Sequence, residues 1–274
     1  MALSNSAILD ILAKYDIHPY EDSAKDVEPP GIGEIHDGES VYSTSLDEVF
    51  GDGIDLEIGD GDSDLKDPRL QEMWERIKRL FQEFTVGRPS GGRRRDTRAA
   101  PPEPGCAWYC PIHFFGYDWG IYIRESCILS HAVDIASFVD WHLVRLSPGK
   151  LIRDLLRSAF HALFLHEQFH HKVESLGFRL MVSTGTERYR PYKRNVYRRT
   201  FLTPNCLEES LANPESFRRL DEPRYVRRVD PAIRAGLRRF VKDPISRQPP
   251  GYQEGVGIPF VPPASADIVD GWRS

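Results

Sequence analysis

Two histidines placed four residues apart are the feature of this sequence most clearly suited to chemistry. Residues 166–170 read His-Glu-Gln-Phe-His, inside an apolar-periodic run over residues 151–180 that predicts an α-helix. Side chains four apart share one helix face, so His166 and His170 form a pair of nitrogen ligands suited to Zn²⁺. Glu167 lies one step round the helix and within reach of a water activated by such a metal. This pattern is typical of metal-assisted hydrolysis, most often of a peptide bond.

A third ligand has to come from another part of the chain. Glu174 lies on the same helix face as the two histidines. An α-helix rises about 1.5 Å per residue, so Glu174 is about 12 Å along the helix from His166, too far for both to bind one ion. We therefore interpret Glu174 as a surface residue or as a support for a ligand. Residues 207–213 carry a second short helical pattern, in which Glu209 and Asn213 share a face. We predict that Glu209 binds the metal and that Asn213 hydrogen-bonds a ligating imidazole, with Glu208 as the alternative ligand.

These two segments resemble the motifs of the gluzincin clan of zinc metallopeptidases. The residues that carry the resemblance are His166-Glu167-Gln168-Phe169-His170 and Glu209-Ser210-Leu211-Ala212-Asn213. The Glu-x-x-Ala-Asn form is similar to small bacterial members, including those that cleave phage-type or stress-response repressors. One departure is Pro214, which directly follows the second motif and at which we expect the helix to end or kink.

The resemblance implies a compact zincin-like α+β core over residues 120–217, with zinc at His166, His170 and Glu209. It also implies that Glu167 is the general base and that the substrate is a polypeptide, with regulatory proteolysis as one such role. In the resembling family an edge strand binds the substrate backbone, and residues 120–123 are our candidate for that strand.

The elements that must position these residues follow from periodicity and turn chemistry. Residues 112–115 and 120–123 are aromatic and β-branched and predict two strands. Ser147 and Pro148 supply an N-cap and a first-turn proline for the motif helix. Further helices are predicted over residues 7–13 (with Ser6 as the N-cap), 68–84, 128–144 and 231–241.

Composition, together with the catalytic domain that the resemblance implies, divides the chain into four regions. They are an acidic N-terminal extension (1–86), a Gly/Pro/Arg-rich linker (87–105), the zincin-like catalytic domain (106–248) and a Pro/Gly-rich tail (249–274). Within the extension, residues 21–67 hold many Asp, Glu and Gly residues but few large apolar ones, so we predict that they are mostly disordered.

Charge is strongly segregated along the chain. Residues 1–85 hold 21 acidic and 7 basic residues, a net charge of −14, whereas the remainder carries +9, which gives −5 overall. Residues 188–199 interleave Arg and Lys with three tyrosines, and this segment has three interpretations. It is a solvated surface loop, or a module on a zincin-like fold that binds protein or, by stacking and phosphate contacts, nucleic acid. The third interpretation is a loop over the active site that attracts the acidic N-terminal segment or an acidic substrate. Tyr189, Tyr192 and Tyr197 are equal candidates for stabilising an oxyanion.

The remaining sequence features concern the compartment and the reaction class. No apolar run approaches the length of a membrane span, and the first residues lack the pattern of a signal peptide. The four cysteines have no spacing typical of a disulfide framework or a zinc finger, so we predict a reducing cytoplasm. A metal-dependent hydrolase acting on a non-peptide bond stays open as an alternative to the peptidase.

Overall fold

The computed structural model describes residues 4–19, 41–44, 68–85, 106–220, 222, 228–245 and 252. In these residues the fold is mostly helical with a small antiparallel sheet, which is compatible with the predicted α+β class. The strands are β1 (Val41–Thr44), β2 (Ala107–Cys110) and β3 (Gly120–Arg124). The helices are α1 (Asn5–Lys14), α2 (Pro68–Thr85), α3 (Ile112–Phe115), α4 (Glu125–Ser137), α5 (Pro148–Thr184), α6 (Tyr189–Tyr192), α7 (Arg198–Thr200), α8 (Leu207–Arg219) and α9 (Pro231–Ile245). A π-helical turn (Lys193–Tyr197) joins α6 to α7, and 3₁₀ turns lie at Gly116–Asp118 and Trp141–Leu143.

The sheet has the order β1-β3-β2, with both neighbouring pairs antiparallel. The predicted strand at residues 120–123 is confirmed as β3, but β3 lies in the centre of this sheet. It is therefore not the edge strand that we expected to hold a substrate backbone. β1 lies inside residues 21–67, so the prediction of disorder is wrong for residues 41–44. The other residues of that segment lie outside the described part of the chain.

Residues 112–115 form helix α3 and not the predicted strand. The backbone nitrogens of Ile112 and His113 begin this helix and have no partner within it, and both donate to the buried carboxylate of Glu174, at 3.3 and 3.0 Å. Pro111, whose φ is −70°, occupies the N-cap position. The tertiary contact with Glu174 thus outweighs the strand preference of an aromatic segment.

Helix α5 carries the His-Glu-Gln-Phe-His motif and is the long helix that the periodicity predicts. The Ser147 hydroxyl accepts a hydrogen bond from the Lys150 backbone nitrogen, Pro148 occupies the first turn, and Gly185 ends the helix with a φ of 72°. The N-terminal half of α5 is anchored by fully buried residues that include Ile152, Leu155 and Ala159. The motif therefore lies in the middle of a rigidly held helix.

The core packs helices from both ends of the chain against α5. Met73 and Ile77 of α2 belong to the same buried cluster as Ile152 of α5 and Ile233 of α9. Leu12 of α1 packs in a smaller cluster with Met181 near the end of α5 and with other residues. The predicted helices at 7–13, 68–84 and 231–241 are confirmed as α1, α2 and α9. Ser4, not Ser6, caps α1, and the predicted helix at 128–144 is α4, which starts earlier and ends at Ser137.

Two of the four cysteines form a disulfide, contrary to our interpretation of their spacing. Cys106, which precedes β2, is bonded to Cys127 in α4, while Cys110 and Cys206 are free and buried. The bond removes the basis of the cytoplasmic prediction, because disulfides persist mainly in oxidising compartments. Among the described residues, no helix has the length and apolar character needed to cross a membrane.

Candidate metal centre

Helix α8 lies against α5 and brings the second motif to the first. The buried side chains of α8 are almost all polar, and they include Glu208, Glu209 and Asn213. Of the two outcomes that we expected at Pro214, an end or a kink, the end is wrong, because α8 continues to Arg219. Pro214 removes only one helical hydrogen-bond donor, and the helix keeps buried residues on both sides of it, Asn213 and Ser216.

The two motif histidines point the same ring nitrogen at one carboxylate. Nε2 of His166 lies 3.0 Å from Oε2 of Glu209, and Nε2 of His170 lies 3.5 Å from Oε1 of the same residue. Glu209 is only 1% exposed. The structure thus brings together the three residues that the sequence analysis names as metal ligands.

These distances fit a zinc ion. Around a tetrahedral Zn²⁺ with bonds of about 2.0–2.2 Å, neighbouring ligand atoms lie about 3.4 Å apart. The two imidazole nitrogens lie 3.0 and 3.5 Å from different oxygens of Glu209, and both separations are close to that value. Two imidazoles and one carboxylate are also a common donor set of catalytic zinc sites.

The other ring nitrogen of each histidine is held by α8. Nδ1 of His166 lies 2.9 Å from Oδ1 of Asn213, and Nδ1 of His170 lies 2.6 Å from Oε1 of Glu208. An amide oxygen or a carboxylate accepts a hydrogen bond, so each Nδ1 carries a proton, and each Nε2, which faces Glu209, is the nitrogen that can release its proton to bind a metal. Glu208, the alternative ligand, therefore meets His170 on the side away from Glu209.

The basic segment at residues 188–199 is helical, and part of it points inward, which differs from a solvated loop. The Tyr192 hydroxyl donates to Glu208 at 2.6 Å, and the Tyr197 hydroxyl donates to Glu209 at 2.5 Å. Lys193 is 8% exposed, with its ammonium 3.4 Å from Glu208 and 3.3 Å from the centre of the Tyr197 ring. Tyr189 is buried against His113. Because Tyr189 is buried and the hydroxyls of Tyr192 and Tyr197 are hydrogen-bonded to carboxylates, these tyrosines are poorly placed to stack on nucleic-acid bases.

The electrostatics of the cluster favour ionised carboxylates facing cationic partners. Burial alone would lower the pKa of His170, but Glu209 and Glu208 outweigh it and raise this pKa to about 9. Burial alone would raise the pKa of Glu208, yet Lys193 and His170 hold it at about 2. The pKa of Glu209 is likewise held far below its usual range, mainly by the two histidines. A divalent cation would thus supply positive charge at a place where the carboxylates already require it.

Glu167 lies beside the two histidines on α5. One ligand atom from each of Glu167, His166 and His170 lies within 4.8 Å of the others. Distance alone would permit Glu167 as a ligand, but both Nε2 atoms face Glu209, which leaves Glu167 next to the metal position. Burial raises the pKa of Glu167, and the neighbouring histidines partly oppose that shift.

Glu174 is neither a surface residue nor a partner of the motif histidines, which corrects our interpretation of it. It is 2% exposed, and its carboxylate accepts hydrogen bonds from the Tyr109 hydroxyl and from the backbone of α3. Nδ1 of His113 lies 2.5 Å from Oε1 of Glu174. This buried group fixes α5 against β2 and α3, and so fixes the sheet relative to the candidate metal centre.

One residue at the centre was missed by the sequence analysis. Tyr252 belongs to the region that we interpreted as a tail, yet its ring is stacked on His166 with 5.8 Å between ring centres. Its backbone carbonyl accepts a hydrogen bond from Asn213. Burial and the negative charge of Glu209 raise the pKa of Tyr252. No local pattern around residue 252 marks it as part of the site, because the contact spans 39 residues from Asn213.

Comparisons with protein families, with curated proteins and with solved structures found no match to this chain. The function of the chain is therefore inferred from the geometry of its own residues.

Proposed function

We propose that the chain is a zinc-dependent metallopeptidase with a zincin-like core. The observation that carries the proposal is the convergence of two Nε2 atoms on Glu209, at 3.0 Å from His166 and 3.5 Å from His170. His166, His170 and Glu209 would hold the zinc. When bound, the zinc supplies a Lewis acid that lowers the pKa of a coordinated water and polarises a substrate carbonyl.

Glu167 has the position and the environment of a general base. It lies beside both ligating histidines, and burial raises its pKa, which makes its carboxylate a better proton acceptor. In a hydrolysis it accepts the proton of the attacking water. It then gives that proton to the leaving amine nitrogen as the peptide bond breaks.

The remaining polar residues of α8 and of the π-helical turn keep these groups in place. Asn213 and Glu208 hold the two imidazoles by Nδ1, and Tyr192 and Lys193 hold Glu208 in turn. Such partners keep each imidazole in the tautomer and ring orientation that metal binding needs. The supporting hydrogen bonds thus favour a centre that is organised before a metal arrives.

A polypeptide is the substrate class that we propose, because the motifs resemble those of peptidases. The alternative, a nucleic-acid-binding module using residues 188–199, is less favoured because Tyr192 and Tyr197 already bind carboxylates of the centre. A protein-binding module without hydrolysis would have no need of Glu167 beside the metal ligands.

Metal analysis combined with four substitutions tests the proposal. The purified wild-type chain should contain about one zinc ion, and His166→Ala or His170→Ala should lose it, because three protein ligands are the usual minimum of a catalytic site. His142→Ala removes an exposed histidine outside the centre and is the matched control. Glu167→Gln should keep the zinc but lose hydrolysis of a mixed fluorogenic peptide library. A wild-type chain without a stoichiometric transition metal would refute the proposal.

A further inference from the structure

Tyr252 contacts the candidate metal centre through its ring and its backbone. The ring is stacked on His166, with an interplanar angle of 12°. The backbone carbonyl lies 2.8 Å from Nδ2 of Asn213. One residue near the C-terminal end therefore touches one of the proposed ligands and the amide that supports it.

The contact with Asn213 has a directional consequence. A backbone carbonyl can only accept a hydrogen bond, so the amide of Asn213 must turn its nitrogen towards Tyr252. Its oxygen then faces Nδ1 of His166, at 2.9 Å, and that nitrogen has to carry the proton. Nε2 of His166, which is hydrogen-bonded to Glu209, is then the nitrogen that gives up its proton and offers its lone pair when a metal binds. The carbonyl of Tyr252 thus selects the tautomer of His166 that can bind a metal.

The ring acts on the same centre in a second way. Stacking limits rotation of the imidazole of His166, whose side chain is still 16% exposed. The carboxylate of Glu209 is held separately, by the hydroxyl of Tyr197.

We propose that Tyr252, in the C-terminal part of the sequence, is a positioning residue of the metal centre. Tyr252 acts on His166 through Asn213. This inference rests on the proposed function, since it concerns the affinity of the centre for zinc. An alternative role for the same residue is a plug that a substrate must displace. A plug would need only the side chain over the centre, whereas the bond from Asn213 to the backbone carbonyl lies on the Nδ1 side of His166, away from the ligand position.

The test is a double-substitution cycle in the full chain, with the zinc dissociation constant as its readout. Tyr252→Ala, Asn213→Ala and the double variant are titrated with zinc against a chromophoric chelator. Loss of a residue that orients a metal ligand typically weakens metal binding 10–100-fold, and we expect this for both single variants. Tyr252→Ala keeps the backbone carbonyl of residue 252 but removes the ring whose stacking on His166 holds that carbonyl against Asn213. Its effect should therefore pass through Asn213, and the double variant should lose much less than the product of the two effects. Tyr252→Phe keeps the ring and the backbone contact and should retain most of the affinity.

Controls and contrary outcomes separate the alternatives. Tyr117→Ala removes a tyrosine that is 65% exposed and should leave zinc affinity unchanged. An unchanged affinity in Tyr252→Ala, or fully multiplicative effects in the double variant, would overturn the inference. Faster peptide hydrolysis at unchanged affinity would instead identify a plug. If Tyr252→Ala does not fold, Tyr252→Phe gives the test. A zinc affinity of Tyr252→Phe as low as that of Asn213→Ala would overturn the inference that the backbone carbonyl of Tyr252 orients Asn213. A wild-type chain with no zinc affinity would overturn the proposed function and this inference together, whereas the other outcomes affect the inference alone.

Discussion

The two adjacent carboxylates of α8 should have different effects on zinc binding, although both are buried. Glu209 faces the Nε2 atoms of both motif histidines, whereas Glu208 holds Nδ1 of His170. Glu174 on α5 is also a buried carboxylate, but it binds Tyr109 and His113 and not the motif histidines. Substituting each of the three glutamates in turn therefore separates a ligand, a support for a ligand and a matched control.

The expected magnitudes follow from these roles. Four-ligand zinc sites bind with about 10–16 kcal/mol, so one ligand accounts for roughly 3 kcal/mol, or a loss of about 100-fold or more in Glu209→Ala. Loss of the partner of a ligating histidine costs about 10–100-fold, which we expect for Glu208→Ala. The glutamine variants separate the two more sharply. Glu208→Gln keeps an oxygen that accepts from Nδ1 of His170 and should lose less than about 10-fold, whereas Glu209→Gln loses the ligand charge.

The assay is competition for zinc against a chelator of known affinity, at one pH and one ionic strength. Circular dichroism of each metal-free variant first checks that it is folded. Glu174→Gln should weaken zinc binding little, because its carboxylate does not touch the motif histidines. Equal losses in all three glutamine variants, or a larger loss at Glu208 than at Glu209, would refute our assignment of the third ligand.

Three further predictions concern the base, the buried acid and the charged segments. Glu167→Gln should bind zinc normally but reduce turnover by about 10²–10⁴-fold, and full activity would remove Glu167 from the mechanism. Burial alone would raise the pKa of Glu174, but hydrogen bonds from His113 and Tyr109 hold it below its usual range. Its ionised form therefore stabilises the fold above the ordinary glutamate pKa, and this contribution is lost as pH falls through the lowered value. Denaturant titrations of Glu174→Gln should accordingly show a weaker loss of stability in acid, and an unchanged slope would contradict the assignment. If the acidic segment at residues 21–67 shields the centre, peptidase activity should rise with salt, and substituting the exposed Arg194, Arg198 and Arg199 by Gln should reduce that rise.

The motif helix could be predicted from sequence because its signals are local. Apolar periodicity, the Ser147 cap and Pro148 all act within a few residues of the chain, and α5 follows them. The pairing of Glu209 with Asn213 depends on helical spacing in the same way. Spacing alone left Glu208 and Glu209 as alternatives, because the direction in which α8 faces α5 is a tertiary property.

The errors arose where a distant contact decides the local structure. The carboxylate of Glu174 accepts from the first backbone nitrogens of α3, and a helix forms where the aromatic residues favour a strand. The π-helical turn is a comparable case. Its geometry is uncommon and tends to occur at functional sites, and here Lys193 and Tyr197 turn towards Glu208 and Glu209. Neither contact leaves a periodic pattern, because each depends on two segments meeting in the fold.

The polar composition of the interface between α8 and the motif helix α5 supports the proposal of a cation at this centre. Of the six buried residues in α8, only Ala212 is apolar, so this face gains little from the hydrophobic effect. Burying Glu208 and Glu209 instead carries a desolvation cost, which the histidines and Lys193 offset only while their charges stay paired. A helix selected for stability alone would bury leucine or alanine at these positions, as the N-terminal half of α5 does. Proteins retain such polar interfaces chiefly where the groups have chemistry to perform, and here every buried carboxylate of α8 is directed at a motif histidine.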